Sequence, residues 1–423
     1  MTKQISERAQ GWNPPPRPEW VRRINEEGSY LDIKSVVPLD EDSILKAAKA
    51  NTGLSDFGMD DWVEPFQVLV KSLNEESELT LMGRLMARSD LILYLQGRLQ
   101  IEDTYKKYPE IEDEQIEKPI LIVGQGRSGT SALLNILSKD PENGVCKTWE
   151  AYFPYPPPEK ASYLTDPRIE RADKLIQQWN RVVPEMESVH EFTGEIPTET
   201  IQLHCLSMQS VSWVTMCSPT PSYSACLAKI GTLPAFRYEK RTLKLLQWKN
   251  PRKHWVLKSP DATRSMLEAM EVYPDITIVW PHRDPVKALS SAVNTLGALA
   301  WTRTDRPFRP GTFEFVTSAE ACNAMMCAPI AQIEANPKLK AQLVNVLYRS
   351  FLSDPLGVVA KIYASSGRVL TAEGLAAMQR YMDEYPRTTR PAHAYDIGTP
   401  EQIARERIAF KPYQDYFGVP DEV

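Results

Sequence analysis

At 423 residues the chain has room for one elaborated domain or two ordinary ones, either with a sizeable core. Hydrophobic residues at 42%, charged residues at 25% and a formal charge of −6 are ordinary for a soluble globular protein. They argue against a general nucleic-acid or anionic-membrane surface, so any basic site has to be local. The opening "MTKQISERAQGWNPPPRPEW" carries charges and prolines where a secretory signal needs an apolar stretch. No later run approaches the ~20 apolar residues of a membrane span. The chain therefore reads as cytoplasmic, without an integral membrane segment. Its six cysteines, Cys146, Cys205, Cys217, Cys226, Cys322 and Cys327, lack the density of a disulfide scaffold and the C-x-x-C pairing of a zinc site, so interior thiols are expected.

In chain order, residues 1–115 read as a helical preface. "SILKAAKA" and "VEPFQVLVKSLNEESELTLMGRLMARSDLILYLQGRL" space apolar residues by three and four, with Asp60 or Asp61 available as a cap. Their apolar positions are expected to pack on the core that begins at Pro119. There the pattern changes to short apolar strands, each running into a polar or glycine-containing turn and a helix. The strands are predicted at Ile120–Val123, at His254–Lys258 ("HWVLK") and at Ile276–Trp280 ("ITIVW"). This alternation predicts an α/β fold: a P-loop-type core in residues 116–423, with a parallel sheet flanked by helices and a long helical insertion at about 150–250. "HRDPVKALSSAVNTL" predicts a helix entered through Asp284 as cap and Pro285 as first residue. The tail from "AQLVNVLYRSFLSDPLGVVAKIYA" onward reads as helical again, interrupted by the polar loop "EYPRTTRPAHAYDIGTP".

In open α/β sheets ligands sit at the carboxyl ends of the strands. At the first of these, "GQGRSGTS" has the glycine spacing of a nucleoside-triphosphate loop, but Thr130 stands where that loop has its lysine. Backbone N–H groups at such a turn and at the helix it opens point to one place and cradle an anion. Gly126, Arg127, Ser128, Gly129, Thr130 and Ser131 are the expected cradle, the arginine and hydroxyls adding side-chain donors. The second strand ends in Lys258 and Ser259, the third in Arg283. One charged strand end is commonly just solvated; three that each offer a cation and hydroxyls point to a shared anionic ligand.

These residues resemble a known family. "PILIVGQGRSGTSALLNIL", "TWEAYFPYPPPE", "HEFTGEIPTE", "WVLKSPDATRSMLEAMEVYPDITIVWPHRDPVKALSS" and "SDPLGVVAKIYA" look like the sulfotransferases that use 3′-phosphoadenosine 5′-phosphosulfate, in particular a large bacterial branch with an arginine in its first loop. The resemblance implies that this nucleotide is the co-substrate, that the first loop holds its 5′-phosphosulfate, and that no metal is required. It further implies that Arg283 and Ser291, eight positions later, hold the 3′-phosphate, and that Lys258 and Arg127 stabilise charge developing around the transferred group.

A base is less sharply marked: the family likeness offers His190, in "SVHEF", and Glu150, in "TWEAY". Relatives often carry a histidine two residues after the "KSP" proline, where this chain has Ala262. Glu199 and His204 are further candidates to line the acceptor pocket, and Met208, Trp213, Met216 and Tyr223 are its candidate apolar wall. Arg387, Arg390 and His393 lie in a loop that closes over the nucleotide in relatives, or forms a solvated basic turn. The expected partner is a small hydroxylated or amino acceptor of apolar character, not nucleic acid. A kinase using ATP and a non-catalytic nucleotide-binding protein are the competing readings.

Overall fold

The computed structural model describes residues 5–186, 193–386 and 397–423. Five strands, β1 (Ile120–Ile122), β2 (Asn143–Gly144), β3 (His254–Lys258), β4 (Thr277–His282) and β5 (Leu343–Leu347), form a parallel sheet in the order β2-β3-β1-β4-β5. β1 is central, aligned with Ile122 opposite Lys258 on one side and Val279 on the other. This register brings the first two predicted strand ends level with one another. Helices flank the sheet as the sequence pattern predicts.

Alternation along the strands feeds two cores. Ile120, Ile122, Val256, Val279, Val344 and Val346 belong to one hydrophobic cluster, whereas Leu121, Val123, Trp255, Leu257, Ile278 and Trp280 belong to another. With side chains alternating across the pleat, each cluster covers one face, so the strands read as continuous apolar runs. The first face is closed by the helix Thr130–Leu137, through Leu133, Leu134 and Leu137, and by the helix Pro355–Ser366. The second face shares its cluster with Leu91, Leu95 and Leu99 of the helix Leu81–Lys107 and with the helix Leu233–Trp248. The N-terminal helices are thus part of the same apolar core as the sheet.

Two departures from the sequence pattern concern strands. Leu343–Leu347 lies within a stretch read as helical, yet it pairs with β4 along its whole length. Its local signal is the alternation of buried Val344 and Val346 with exposed Asn345, too short to stand out between the helices Pro337–Gln342 and Tyr348–Ser353. β4 also runs on through Pro281 to His282, past the expected end at Trp280. The Val279 carbonyl accepts from Val123 N–H, so Pro281, two residues on, withholds its missing donor on the side where β1 has already given way to the loop. Asp60 begins a short 3₁₀ turn leading into the helix Val63–Glu75, whereas Asp284 caps Pro285–Trp301 by accepting from Val286 N–H. Among the described residues no helix is long and apolar enough to cross a membrane, and all six cysteines are free thiols.

Candidate active site

The loop after β1 is shaped by backbone that few side chains tolerate. Gly124 (φ 110°) and Gly129 (φ 93°) are left-handed, and a Cβ at Gly124 would stand 2.7 Å from the Trp280 ring. Between them Arg127 also takes a positive φ of 71°, which costs a residue with a side chain about 1–2 kcal/mol. The conformation is held from outside by Arg283, which donates to the Arg127 carbonyl at 2.9 Å, and from within by Ser128 Oγ, which donates to the Gln125 carbonyl at 2.7 Å. Gly126 and Arg127 form an exposed apex, and a Cβ on Gly126 would meet nothing within 4 Å. Thr130 then opens a helix whose first-turn N–H groups have no intrahelical acceptor. The loop is an anion cradle with an open mouth.

Lys258 ends β3 beside this loop, its side chain only 5% exposed. Nζ donates to Ser131 Oγ at 2.7 Å and pairs with Glu199 Oε1 at 2.7 Å. The parallel register explains the meeting: Lys258 is level with Ile122, so its ammonium reaches the first turn of the helix that β1 feeds. Next in the chain, Ser259 donates through its backbone N–H to the Ile122 carbonyl and through its hydroxyl to Asp261.

Arg283 follows β4 directly and lies 4.3 Å over the Tyr348 ring. Its Nε and Nη2 donate to the Glu422 carboxylate at 2.8–3.0 Å while Nη1 holds the loop. The segment carrying Glu422 is itself anchored: Glu422 N–H donates to Asp284 at 2.7 Å, and Arg407 bridges Asp284, Asp421 and the Val423 carbonyl. Burial pushes the Asp284 carboxyl up, but the Arg407 hydrogen bonds and charge outweigh it and hold the group below its ordinary range. A cleft of about 220 Å³ lies here between Arg283, Tyr348, Arg349 and residues 419–422. Ser291, on the helix that Asp284 caps, is fully buried, and its hydroxyl has no hydrogen-bond partner among the described residues.

Glu150 stands elsewhere and is fully engaged. It is completely buried, paired with Arg252, and accepts from Lys147 N–H at 2.9 Å in a capping box that starts the helix Thr148–Tyr152. His190 and the Arg387, Arg390 and His393 cluster lie outside the described residues. His204 is buried against Glu239 Oε2 at 2.9 Å, with Tyr273 donating to the other carboxylate oxygen at 2.8 Å. Burial opposes protonation of that imidazole, but the Glu239 hydrogen bond and charge prevail and raise it above its ordinary value. Met208, Trp213, Met216 and Tyr223 are all core, each at most 3% exposed.

The geometry thus brings together the loop, Lys258 and Arg283, and adds two partners of these cations whose roles sequence patterns do not reveal, Glu199 and Glu422. Residues 119–371 match the sulfotransferase family profile. The chain belongs to the sulfotransferase family. Among solved structures, sulfotransferase STF9 from Mycobacterium avium is 26% identical with a TM-score of 0.76, over 90% of this chain and 97% of that one. Sulfotransferase STF1 from Mycobacterium tuberculosis H37Rv is also 26% identical, with a TM-score of 0.72 over 88% of this chain and 98% of that one. A comparison with curated protein sequences yields no match. The profile covers the loop, Lys258, Arg283 and Ser291 of this sulfotransferase, whereas Glu422 lies beyond it.

Proposed function

We propose that this sulfotransferase moves a sulfuryl group from 3′-phosphoadenosine 5′-phosphosulfate to a hydroxyl or amine of a small acceptor. The observation that carries the reading is Lys258, a buried cation bonded to Ser131 at the first turn of the loop helix. A cation fixed at the mouth of an anion cradle is placed to act where charge develops.

The residues present fit this donor. The exposed apex at Gly126 and Arg127 and the first-turn N–H groups suit its 5′-phosphosulfate, and the unpartnered buried hydroxyl of Ser291 suits its 3′-phosphate. When bound, the donor supplies an activated sulfuryl group and a phosphate leaving group. Lys258 and Arg127 stabilise the negative charge that collects on the leaving oxygen, an interaction stronger in the transition state than in the ground state. Arg283 offers the planar fork suited to a phosphate. Because that fork is on Glu422 in the free protein, the 3′-phosphate has to displace a carboxylate to reach it. The formal charge of −6, with no broad basic surface in the sequence, supports a small acceptor over a polyanionic one.

Calorimetric titration of 3′-phosphoadenosine 5′-phosphate and of ATP tests this. The reading expects the first to bind at least about tenfold tighter, the scale of one charge-assisted contact. Equal affinity, or preference for ATP, overturns it in favour of kinase chemistry.

A further inference from the structure

The general base is the part of the reaction that neither Glu150, consumed by Arg252, nor Ala262 supplies. We infer that Glu199 is the catalytic base, taking the proton from the acceptor; this rests on the sulfuryl transfer proposed above.

The carboxylate is delivered by backbone pairing. Thr198 N–H donates to the Cys146 carbonyl at 2.9 Å and Thr200 N–H to the Lys258 carbonyl at 2.8 Å, while Pro197 and Lys147 form an antiparallel bridge. Thr200 is therefore tied to the end of β3 and Thr198 to the segment that follows β2, and the side chain between them meets Lys258 at 2.7 Å. Its exposure also separates it from the other carboxylate the sequence offers. Glu199 is 25% exposed, enough for a second molecule to touch it, whereas Glu150 is completely buried.

Position and timing suit proton transfer. Nζ of Lys258 meets the loop helix through Ser131 and the insertion through Glu199, so a single ammonium separates the carboxylate from the cradle. An acceptor approaching sulfur in line with the leaving oxygen arrives from outside the cradle. As the acceptor oxygen forms its bond to sulfur, the bond from sulfur to the bridging oxygen breaks and its electron pair stays on the phosphate. The acceptor proton passes to Glu199 Oε. Lys258 Nζ pairs with Glu199 at 2.7 Å in the protein, and as charge grows on the leaving oxygen the ammonium is drawn toward it. Its hold on Glu199 weakens at the stage when the carboxylate has to become basic.

The test is a pair of phenol acceptors of different acidity, 4-nitrophenol and unsubstituted phenol, with full-length wild type, Glu199→Gln, Glu199→Asp and His190→Ala in single-turnover assays. Glu199→Gln should lose roughly 10²- to 10⁴-fold with phenol but at least about tenfold less with 4-nitrophenol, the much more acidic acceptor, which gives up its proton with less help from a base. Glu199→Asp, which keeps the carboxylate, should recover part of the phenol rate. Equal losses on both acceptors would mean that Glu199 only positions Lys258. The acceptor-dependent pattern in His190→Ala and not in Glu199→Gln would move the base to His190; either result overturns the assignment. Titration of 3′-phosphoadenosine 5′-phosphate and ATP into wild type separates the two failures. A preference for the former with a flat acceptor response removes Glu199 alone, whereas no preference removes the donor reading beneath it.

Discussion

Replacing Glu422 by glutamine removes the negative charge that holds Arg283 while keeping the side chain's shape. The pair consists of three N–H···O contacts at 2.8–3.0 Å, with side chains 13% and 29% exposed. A hydrogen bond to a charged group is worth about 1.5–3 kcal/mol when well shielded. Partial exposure and salt screening reduce this pair to about 1–2 kcal/mol. At about 1.4 kcal/mol per tenfold, Glu422→Gln should tighten 3′-phosphoadenosine 5′-phosphate roughly 5- to 30-fold. Adenosine 5′-phosphate, which has no 3′-phosphate to compete with the carboxylate, should bind unchanged. In Arg283→Ala the 3′-phosphate preference should shrink to what Ser291 retains and the effect of Glu422→Gln should disappear, because these changes act on one interaction. Isothermal titration of both ligands into the four proteins, at low and moderate salt, measures this cycle. Weaker binding of the 3′-phosphorylated ligand by Glu422→Gln would refute the reasoning. The carboxylate would then be holding Arg283 in place for the ligand rather than occupying its fork.

Lys258→Ala should keep nucleotide affinity within about tenfold while turnover falls at least ~10²-fold, the scale for losing one electrostatic stabiliser; a normal chemical step would remove it from the catalytic set. Arg127→Gly should relieve the left-handed strain and stabilise the fold by about 0.5–1 kcal/mol after the entropic cost of glycine, while sulfuryl transfer slows; urea unfolding and a rate assay read the two halves. Glu150→Gln leaves Arg252 buried without its counter-charge and should cost about 3–5 kcal/mol, so thermal unfolding should fall sharply. A normally stable Glu150→Gln with an acceptor-dependent rate loss would instead return Glu150 to the chemistry. His282 is pulled down to about 4, by burial first, with its hydrogen bond to Asn345 opposing. Its folded value lies below the unfolded ~6.5, so the unfolded chain binds the extra proton and stability should drop as pH falls from about 6.5 toward 4. The His282→Gln variant should lose that part of the pH dependence in urea midpoints.

Much of the sheet and its loop is local information. The apolar runs of β1 and β3, the glycines at Gly124 and Gly129, and Asp284 with Pro285 each state a strand, a left-handed turn or a helix entry within a few residues. Such signals are legible because the backbone conformation that needs them is set by the same short stretch. β5 is not legible, since a two-residue alternation over five positions is outweighed by the helices on either side, and only pairing with β4 reveals it.

At the site the division is the same. Residue types at strand ends announce cations, but where their charges go is decided by segments distant in sequence. Lys258 meets Glu199 because Thr200 is pinned to β3 and Thr198 to the segment after β2, and Arg283 meets Glu422 across 139 positions because Arg407 and Asp284 anchor the closing segment. Glu150 shows the reverse: a carboxylate beside a family motif reads as chemistry, yet the fold buries it on Arg252. A carboxylate carries the same letter whether it caps a helix, neutralises a buried guanidinium or waits for a proton. What distinguishes these states is its distance to the nearest cation and its access to water, and both are properties of the packed chain.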